Sequence, residues 1–407
     1  MDMKRNNEIN ANSTILATNG LRYKMPMPLS TTMVRTFKRQ YSQKQSYIQN
    51  ETIVFDLNVS GQVDCECSYL TFKFKCLDNN NAGVVTAFSN NGFLSLIREI
   101  KISSKNGVEL ERIQHLNQYA QYWVPANNTA TELQKTAVLT GYDANFTVAA
   151  NTAGITAVIP MAWITGLFRP HVKGQKIPSM LLAGSRIEIT LESLQRAVNT
   201  AGAAVKYEVG SPTIVLMEHA CNDNTLKVLT QESSQNGLEY VYDRVFTSYE
   251  ESNSAIVNLQ IKKAVSQATS VTTLITVPAN ANTQNASSFN SVDVSITPAL
   301  FSKFNYRHAS NYYPHQALDN VGEAYNIQDC INAPDNNIRF NDFETKIFNV
   351  STPLKTEHSI SSSGLAVNNS ASIALEYEGD STNKTYYSFL VYTCLARAFL
   401  NQITVKI

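Results

Sequence analysis

The sequence predicts an all-β protein of antiparallel sandwich type, built as two tandem halves. Three observations predict it. Apolar residues recur with a period of two from residue 51 onward, the spacing of strands with one face buried. Sustained helical spacing is rare and no β-α-β alternation occurs, which excludes doubly wound and barrel α/β folds. The 407 residues suffice for about two compact cores, and each half of the chain closes on the same order of strands.

Residues 1–50 come first and differ from the rest. Lys4, Arg5, Arg22, Lys24, Arg35, Lys38, Arg39 and Lys44 stand against Asp2 and Glu8, a net of +6, so the remaining 357 of the 407 residues sum to −6. With little periodicity, the segment reads as a basic N-terminal arm. Its charge serves either as a tether to an anionic or subunit surface, which salt would screen, or incidentally on a frayed terminus. Strand patterns follow: Ile53, Phe55, Leu57 and Val59; Leu70, Phe72 and Phe74; and Ile187, Ile189 and Leu191, each alternating with more polar neighbours. In the second half come Val257, Leu259 and Ile261; Val292, Val294 and Ile296; Ile373, Leu375 and Tyr377; and Ile403, Val405 and Ile407. Asn91-Gly92, Asn106-Gly107 and Asn236-Gly237 supply the positive-φ chemistry of tight turns.

Short helical inserts are expected at three places. Leu116, Tyr119 and Trp123 form one apolar stripe, Glu132–Leu139 allows two turns, and Pro298–Phe304 reads as a helix opened by proline. The polar stretch ending at Gly237 serves as a linker over 226–237, leaving a first domain at 51–225 and a second at 238–407. Each domain ends with an alternating strand (Arg186–Glu192; Ser372–Glu378), a polar loop and a long apolar strand (Pro212–Glu218; Tyr387–Thr393).

Composition bounds the function. Charged residues make up 16% of the chain, against about 25% in an ordinary soluble domain, and 33 cations balance 33 acids. The whole is therefore no polycation for coating nucleic acid. Much of the surface must be uncharged, and 41 residues are asparagine. At 43% hydrophobic residues, most of the chain must fold. Six scattered cysteines are no disulfide framework and suit a reducing compartment. The first residues lack the apolar run of a secretory signal, and the apolar stretch 153–168 is short and broken by Pro160 and Gly166. Synthesis in a cytoplasm without secretion is the expectation, with the Asn-x-Ser/Thr sites unglycosylated.

No catalytic constellation stands out: the chain has no nucleophile elbow, zinc-protease helix or phosphate-cradling glycine loop. His308 and His315 match no ligand spacing, and their tyrosine-rich surroundings, Tyr306–His315, read as a packed loop. Glu250 and Glu251 would point to opposite faces of a strand. The 19 tyrosines and 17 phenylalanines are not interleaved with cations outside the arm, so they serve core and interface packing rather than base stacking. Cys65 and Cys67, two apart on a strand, should share a face. No enzyme activity, metal or cofactor is expected.

One run is more specific: Val158-Ile-Pro-Met-Ala-Trp-Ile-Thr-Gly-Leu-Phe-Arg169, then Lys176-Ile-Pro-Ser-Met-Leu-Leu-Ala-Gly-Ser-Arg-Ile-Glu-Ile-Thr-Leu191, then Tyr207–Glu218. It resembles the end of the first jelly roll in double-jelly-roll major capsid proteins of tailless icosahedral DNA viruses, the tectivirus-like, virophage-like and polinton-like lineage. The second half is similar too, at Tyr306–Pro314 leading into Ala324-Tyr325, at Ser388–Tyr392 and at Ile403–Ile407.

The resemblance implies two tandem eight-stranded jelly rolls and a structural protein of the virion shell. It implies homotrimers of pseudo-hexagonal outline that tile the shell, touching neighbouring trimers and penton or minor capsid proteins. Arg35, Lys38, Arg39 and Lys44 would then lie on the inner face, against an internal membrane, the genome or an adjacent trimer. The rival readings are a carbohydrate-binding or adhesive β-sandwich and a β-sandwich glycosidase; a monomer would favour either.

Overall fold

The computed structural model describes residues 34–407 apart from connecting segments at 79–84, 88–91, 143–146, 150–152, 172–173, 201–204, most of 221–236, 277–300, 333–337, most of 341–347, 355–363, 369–370 and 400–401. The first half contains β1 (Val34–Tyr41), β2 (Ser46–Ile48), β3 (Thr52–Asp56), β4 (Gln62–Asp78), β5 (Val85–Ala87), β6 (Ile97–Ser103), β7 (Glu109–Gln114), β8 (Thr147–Ala149), β9 (Ile155–Pro160), β10 (Arg186–Leu191), β11 (Asn199–Thr200) and β12 (Val205–Ala220). Helices α1 (Leu116–Ala126) and α2 (Ala130–Thr140) lie between β7 and β8. The second half contains β13 (Leu238–Ser252), β14 (Ile256–Ile261), β15 (Val265–Thr276), β16 (Phe301–His308), β17 (Asn311–Leu318), helix α3 (Val321–Asn332), β18 (Asn349–Pro353), β19 (Leu365–Val367), β20 (Ile373–Gly379), β21 (Lys384–Phe399) and β22 (Gln402–Lys406).

Two larger sheets form each half, beside a small sheet β11-β5-β8 in the first, and the strand orders of the larger sheets are equivalent. In the first half they run β1-β12-β4-β9 and β3-β10-β6-β7; in the second, β13-β21-β15-β18 and β14-β20-β16-β17. Taken along the chain, eight strands of each half enter the two sheets in the same sequence, the wrapping of a jelly roll. All pairings between these strands are antiparallel. The duplication suggested by the closing strands therefore extends through the whole strand order.

The period-two pattern explains why these segments are strands. In β10 every second residue is buried, Ile187, Ile189 and Leu191, and in β14 so are Val257, Leu259 and Ile261. Each such aliphatic side chain taken from water contributes roughly 1.5–3 kcal/mol. The first core is aliphatic and phenylalanine-rich, with Phe74 against Phe93 and Tyr207 at ring distances of 5.7 and 6.1 Å. The second uses hydroxyls that must find partners when buried. The Tyr306 hydroxyl bonds Thr273 Oγ1 and donates to the Val350 carbonyl, both at 2.8 Å, and Thr273 meets Ser388 at 2.8 Å.

Several expectations from sequence are met locally. Asn106-Gly107 turns β6 into β7 with Gly107 at φ 78°, and Gly237 precedes β13 at φ 77°. The apolar stripe at Leu116–Trp123 is helical, as is Glu132–Leu139, where Thr129 and Glu132 cap α2 reciprocally.

Others need correction. The arm expected over 1–50 does not extend that far: β1 and β2 are paired along β12, from Val34 opposite Ala220 to Ile48 opposite Glu208. Their lack of apolar alternation hid them, because β1 is an edge strand on which only Gln40 is buried. Pro298–Phe304 is not a helix over its described part, since Phe301 begins β16; neighbouring β20 supplies the strand's bonds. Tyr306–His315 is a hairpin of β16 and β17 rather than a loop. Cys65 and Cys67 do not share a setting, because a bulge in β4 opposite Val215–Met217 buries the first and exposes the second. The expected linker carries helical residues at Lys227, Gln231 and Ser233–Gln235, with Ser233 buried. The strand read at Val292–Ile296 lies outside the described residues.

Candidate assembly surfaces

The two rolls meet along a seam built mainly by β7, α1 and the turn at 161–171 on one side and β13 and β21 on the other. Its centre is a buried acid. Glu111 has no exposed surface, and its carboxylate accepts from the Gly166 and Leu167 amides at 2.8 and 2.9 Å and from the Thr165 hydroxyl. These donors replace the water that a buried anion has lost. They also hold the turn so that Gly166 lies against β13. A Cβ at Gly166 would stand 1.9 Å from the Asp243 carbonyl oxygen, so only glycine permits this approach.

From that point the seam spreads along β13. Pro170 bridges to Tyr242, and the His171 amide donates to the Val241 carbonyl at 3.3 Å. The Tyr240 and Tyr242 hydroxyls donate to the Leu167 and Leu110 carbonyls at 2.7 and 2.5 Å. Arg244 Nη2 donates to Glu109 Oε1 at 2.7 Å, and Thr247 Oγ1 to the Gln114 carbonyl at 2.8 Å. Tyr240, Tyr242, Arg244 and Thr247 of β13 therefore each bond to β7 or to the turn beside it.

Helix α1 covers the neighbouring surface of the second roll. Tyr119 packs on Phe389 at 5.0 Å, and Thr272 Oγ1 donates to the Tyr122 hydroxyl at 3.5 Å. Ahead of the helix, the His115 ring lies between Tyr249 and Tyr387, at 5.3 and 5.0 Å. Burial, reinforced by the Arg196 cation, pushes the His115 imidazole down to about 4. Arg196 itself donates to the Tyr387 hydroxyl at 2.6 Å.

The four cations expected at a contact surface lie on or beside strands. Lys38 is 3.8 Å from Glu218, whose carboxylate also accepts from the Ser60 and Gly61 amides. Lys44 pairs with Glu51 at 3.1 Å. Arg35 and Arg39 are exposed and, among the described residues, make no ion pair. They alternate on one face of β1 with Phe37 and Tyr41, which are 62% and 69% exposed. Four adjacent side chains, two of them large and apolar, thus stand bare on the edge of the first roll.

The residues of the seam were not singled out as functional by sequence. Gly166 lies in the run that carries the capsid resemblance, and the i, i+2 spacing of Tyr240 and Tyr242 marks a strand face. Nothing near Glu111 separates it from the exposed Arg112 beside it.

Among the described residues no cluster of three or more His, Cys, Asp or Glu could hold a metal ion, and no helix is long and apolar enough to cross a membrane. Asp64 is buried between Lys176 and His219. Burial raises its carboxyl, but the Lys176 ammonium and the other donors outweigh this and hold it below the usual range.

No family model matches the chain, and no curated protein does. Solved structures do. The capsid of the PBCV-1 virus superposes with a TM-score of 0.69 at 9% identity, covering 95% of this chain and 99% of that one. The chain has the double-jelly-roll fold of viral capsid proteins. The Faustovirus major capsid protein shares this double roll at a TM-score of 0.64 and 10% identity, over 92% of this chain and 93% of its own. The virophage Sputnik structure does so at 0.60 and 11%, over 96% and 92%. Because both rolls and the seam between them fall inside the matched span, the likeness is to the tandem arrangement and not to one sandwich alone.

Proposed function

We propose that the chain is the major capsid protein of an icosahedral DNA virus, a structural and non-enzymatic component of the virion shell made in the host cytoplasm. The observation that carries this is the match of the whole tandem double roll, end to end, to viral capsid structures. Three copies would form a capsomer of pseudo-hexagonal outline, since three chains of two equivalent rolls give six. Capsomers would contact one another and penton or minor capsid proteins. The near balance of charge supports close packing of many copies, because little Coulomb repulsion accumulates.

The inner-face role of the basic arm narrows. Residues 1–33 hold Lys4, Arg5, Arg22 and Lys24 against Asp2 and Glu8, a net of only +2, while Arg35, Lys38, Arg39 and Lys44 stand on the folded roll or its β1–β2 turn. Contact with an internal membrane or the genome is therefore assigned to residues 1–33, and these four cations to a protein contact. The glycan-binding reading loses its usual platform: Trp163 is buried, and Trp123 is covered by the Arg169 guanidinium at 3.6 Å. Electron microscopy of the expressed protein tests the proposal; six-lobed capsomers or closed shells support it, and dispersed single chains reject it.

A further inference from the structure

We propose that the cleft between β13 and β14 binds a neutral oligosaccharide. This is a binding function in addition to the shell role, and it does not rest on that reading.

The cleft follows from the strand pattern. β13 and β14 are consecutive, but each is the edge strand of a different sheet, so they diverge after the turn at 253–255. On β14, Val257, Leu259 and Ile261 go to the core, which leaves Asn258 and Gln260, and Lys262 just beyond, pointing outward. Phe246, Ser248 and Glu250 of β13 face them across a cleft of about 410 Å³, within the size range of small-ligand sites. A second cleft of about 310 Å³ shares Asn258 and runs on to Ile256 and Tyr312, which are 70% and 41% exposed.

The state of its polar groups marks the first cleft as a site. Among the described residues, the side chains of Ser248, Glu250, Asn258, Gln260 and Lys262 make no hydrogen bond and no ion pair. Charges on the neighbouring strands are matched instead: Lys303 pairs with Glu378 at 2.8 Å and Arg307 with Glu376 at 2.9 Å. Five unpartnered polar side chains on two facing strands thus converge on one cleft, with their donors and acceptors free for a ligand.

The donor set selects the ligand. The Glu250 carboxylate can accept from two neighbouring hydroxyls, Asn258 and Gln260 each offer donors and an acceptor, Lys262 donates, and Ser248 does both. One acid balances one cation, so the cleft does not gather the positive charge that a phosphate, a nucleic acid or an acidic sugar requires. Its polar walls also disfavour a lipid chain. A pyranose fits, because it is neutral, carries hydroxyls on adjacent carbons and presents a C–H face that packs on an aromatic ring. Phe246, half-buried in the first cleft, supplies one ring, and Tyr312 in the second supplies another. Two rings with amides between them suit a chain of sugars rather than a single one. The site uses neither tryptophan.

Saturation-transfer NMR on the full chain tests the proposal, with disaccharides and trisaccharides of glucose, galactose, mannose and N-acetylglucosamine as probes and the melting midpoint as the fold control. At least one series should bind with a dissociation constant of roughly 1 mM, as an open groove with few hydrogen bonds allows. Its trisaccharide should bind severalfold tighter than its disaccharide. Asn258→Ala with Gln260→Ala should weaken both by about tenfold or more without moving the midpoint, since both side chains are exposed. Glu250→Gln keeps the shape and removes the charge; it should weaken both by about threefold or more, and it decides alone if the double variant fails to fold. Tyr312→Ala should remove only the advantage of the trisaccharide. Silence of all four series, binding unchanged in folded Asn258, Gln260 or Glu250 variants, or displacement of the sugar by inorganic phosphate overturns the site. A trisaccharide that binds no tighter overturns its extension to Tyr312. None of these results bears on the shell reading, which the mass of the assembly tests separately.

Discussion

Gly166→Ala should destabilise the protein by breaking the seam between its rolls. At an ordinary site the substitution gains about 0.4–1 kcal/mol by restricting the unfolded chain. Here the new methyl carbon would lie 1.9 Å from the Asp243 carbonyl oxygen and 2.9 Å from Glu111 Oε1. A carbon and a carbonyl oxygen normally approach no closer than about 3.3 Å, so the turn and β13 must part by roughly 1.4 Å. Displacement on that scale cannot leave the hydrogen bonds from Tyr240 to Leu167 at 2.7 Å and from His171 to Val241 at 3.3 Å in place. Two lost bonds with buried groups left unpaired cost about 1–3 kcal/mol each, so the net loss should be about 3 kcal/mol. For a large domain this lowers the melting midpoint by about 5 °C or more. Differential scanning fluorimetry, with limited proteolysis to show that the rolls have come apart, measures it. A midpoint equal to or above that of the unmodified protein would refute the reasoning.

Three further outcomes are expected. His115 is held neutral in the fold, near 4 against 6.5 when free, by burial and then by Arg196. Its depressed value makes the unfolded chain the better proton acceptor, so its contribution is complete above about pH 6.5 and falls away as pH drops toward 4. His115→Gln should flatten the melting-point slope across that window, and an unchanged slope would count against the assignment. Thiol labelling of the native protein followed by mass spectrometry should modify Cys67 and Cys330, which are exposed, before Cys65 and Cys394, whose thiols burial pushes up to about 11 and about 12. Equal rates at all four would contradict the bulge in β4. Deleting residues 1–33 should leave the melting midpoint unchanged within about 1 °C, whereas deleting 1–48 removes β1, β2 and the buried Tyr47 and should lower it by about 5 °C or cause aggregation; equal behaviour of the two truncations would show that β1 is not part of the roll.

Strands with one buried face were legible because their alternation is a local signal: Ile187, Ile189 and Leu191 announce β10 without reference to anything else. The turn at Asn106-Gly107 was legible for the same reason. β1 was not, because nearly every side chain of Val-Arg-Thr-Phe-Lys-Arg-Gln-Tyr is exposed in the single chain, and a strand without a buried face carries no period. The same reasoning covers β17, where Asn-Tyr-Tyr-Pro-His read as a loop. At the seam, Tyr242 and Leu110 lie 132 residues apart and Arg244 and Glu109 lie 135 apart, so no window of sequence contains both partners. The cations Arg35, Lys38, Arg39 and Lys44 were found by composition alone, which identified the charge but not the strand and turn that present it.

The most direct measurement is the absolute mass of the purified full-length chain by size-exclusion chromatography with light scattering, followed from submicromolar to tens of micromolar concentration. A self-completing double roll gives a species near 135 kDa, three times 45.1, that persists on dilution and assembles further when concentrated. A species that stays at 45.1 kDa throughout would contradict it.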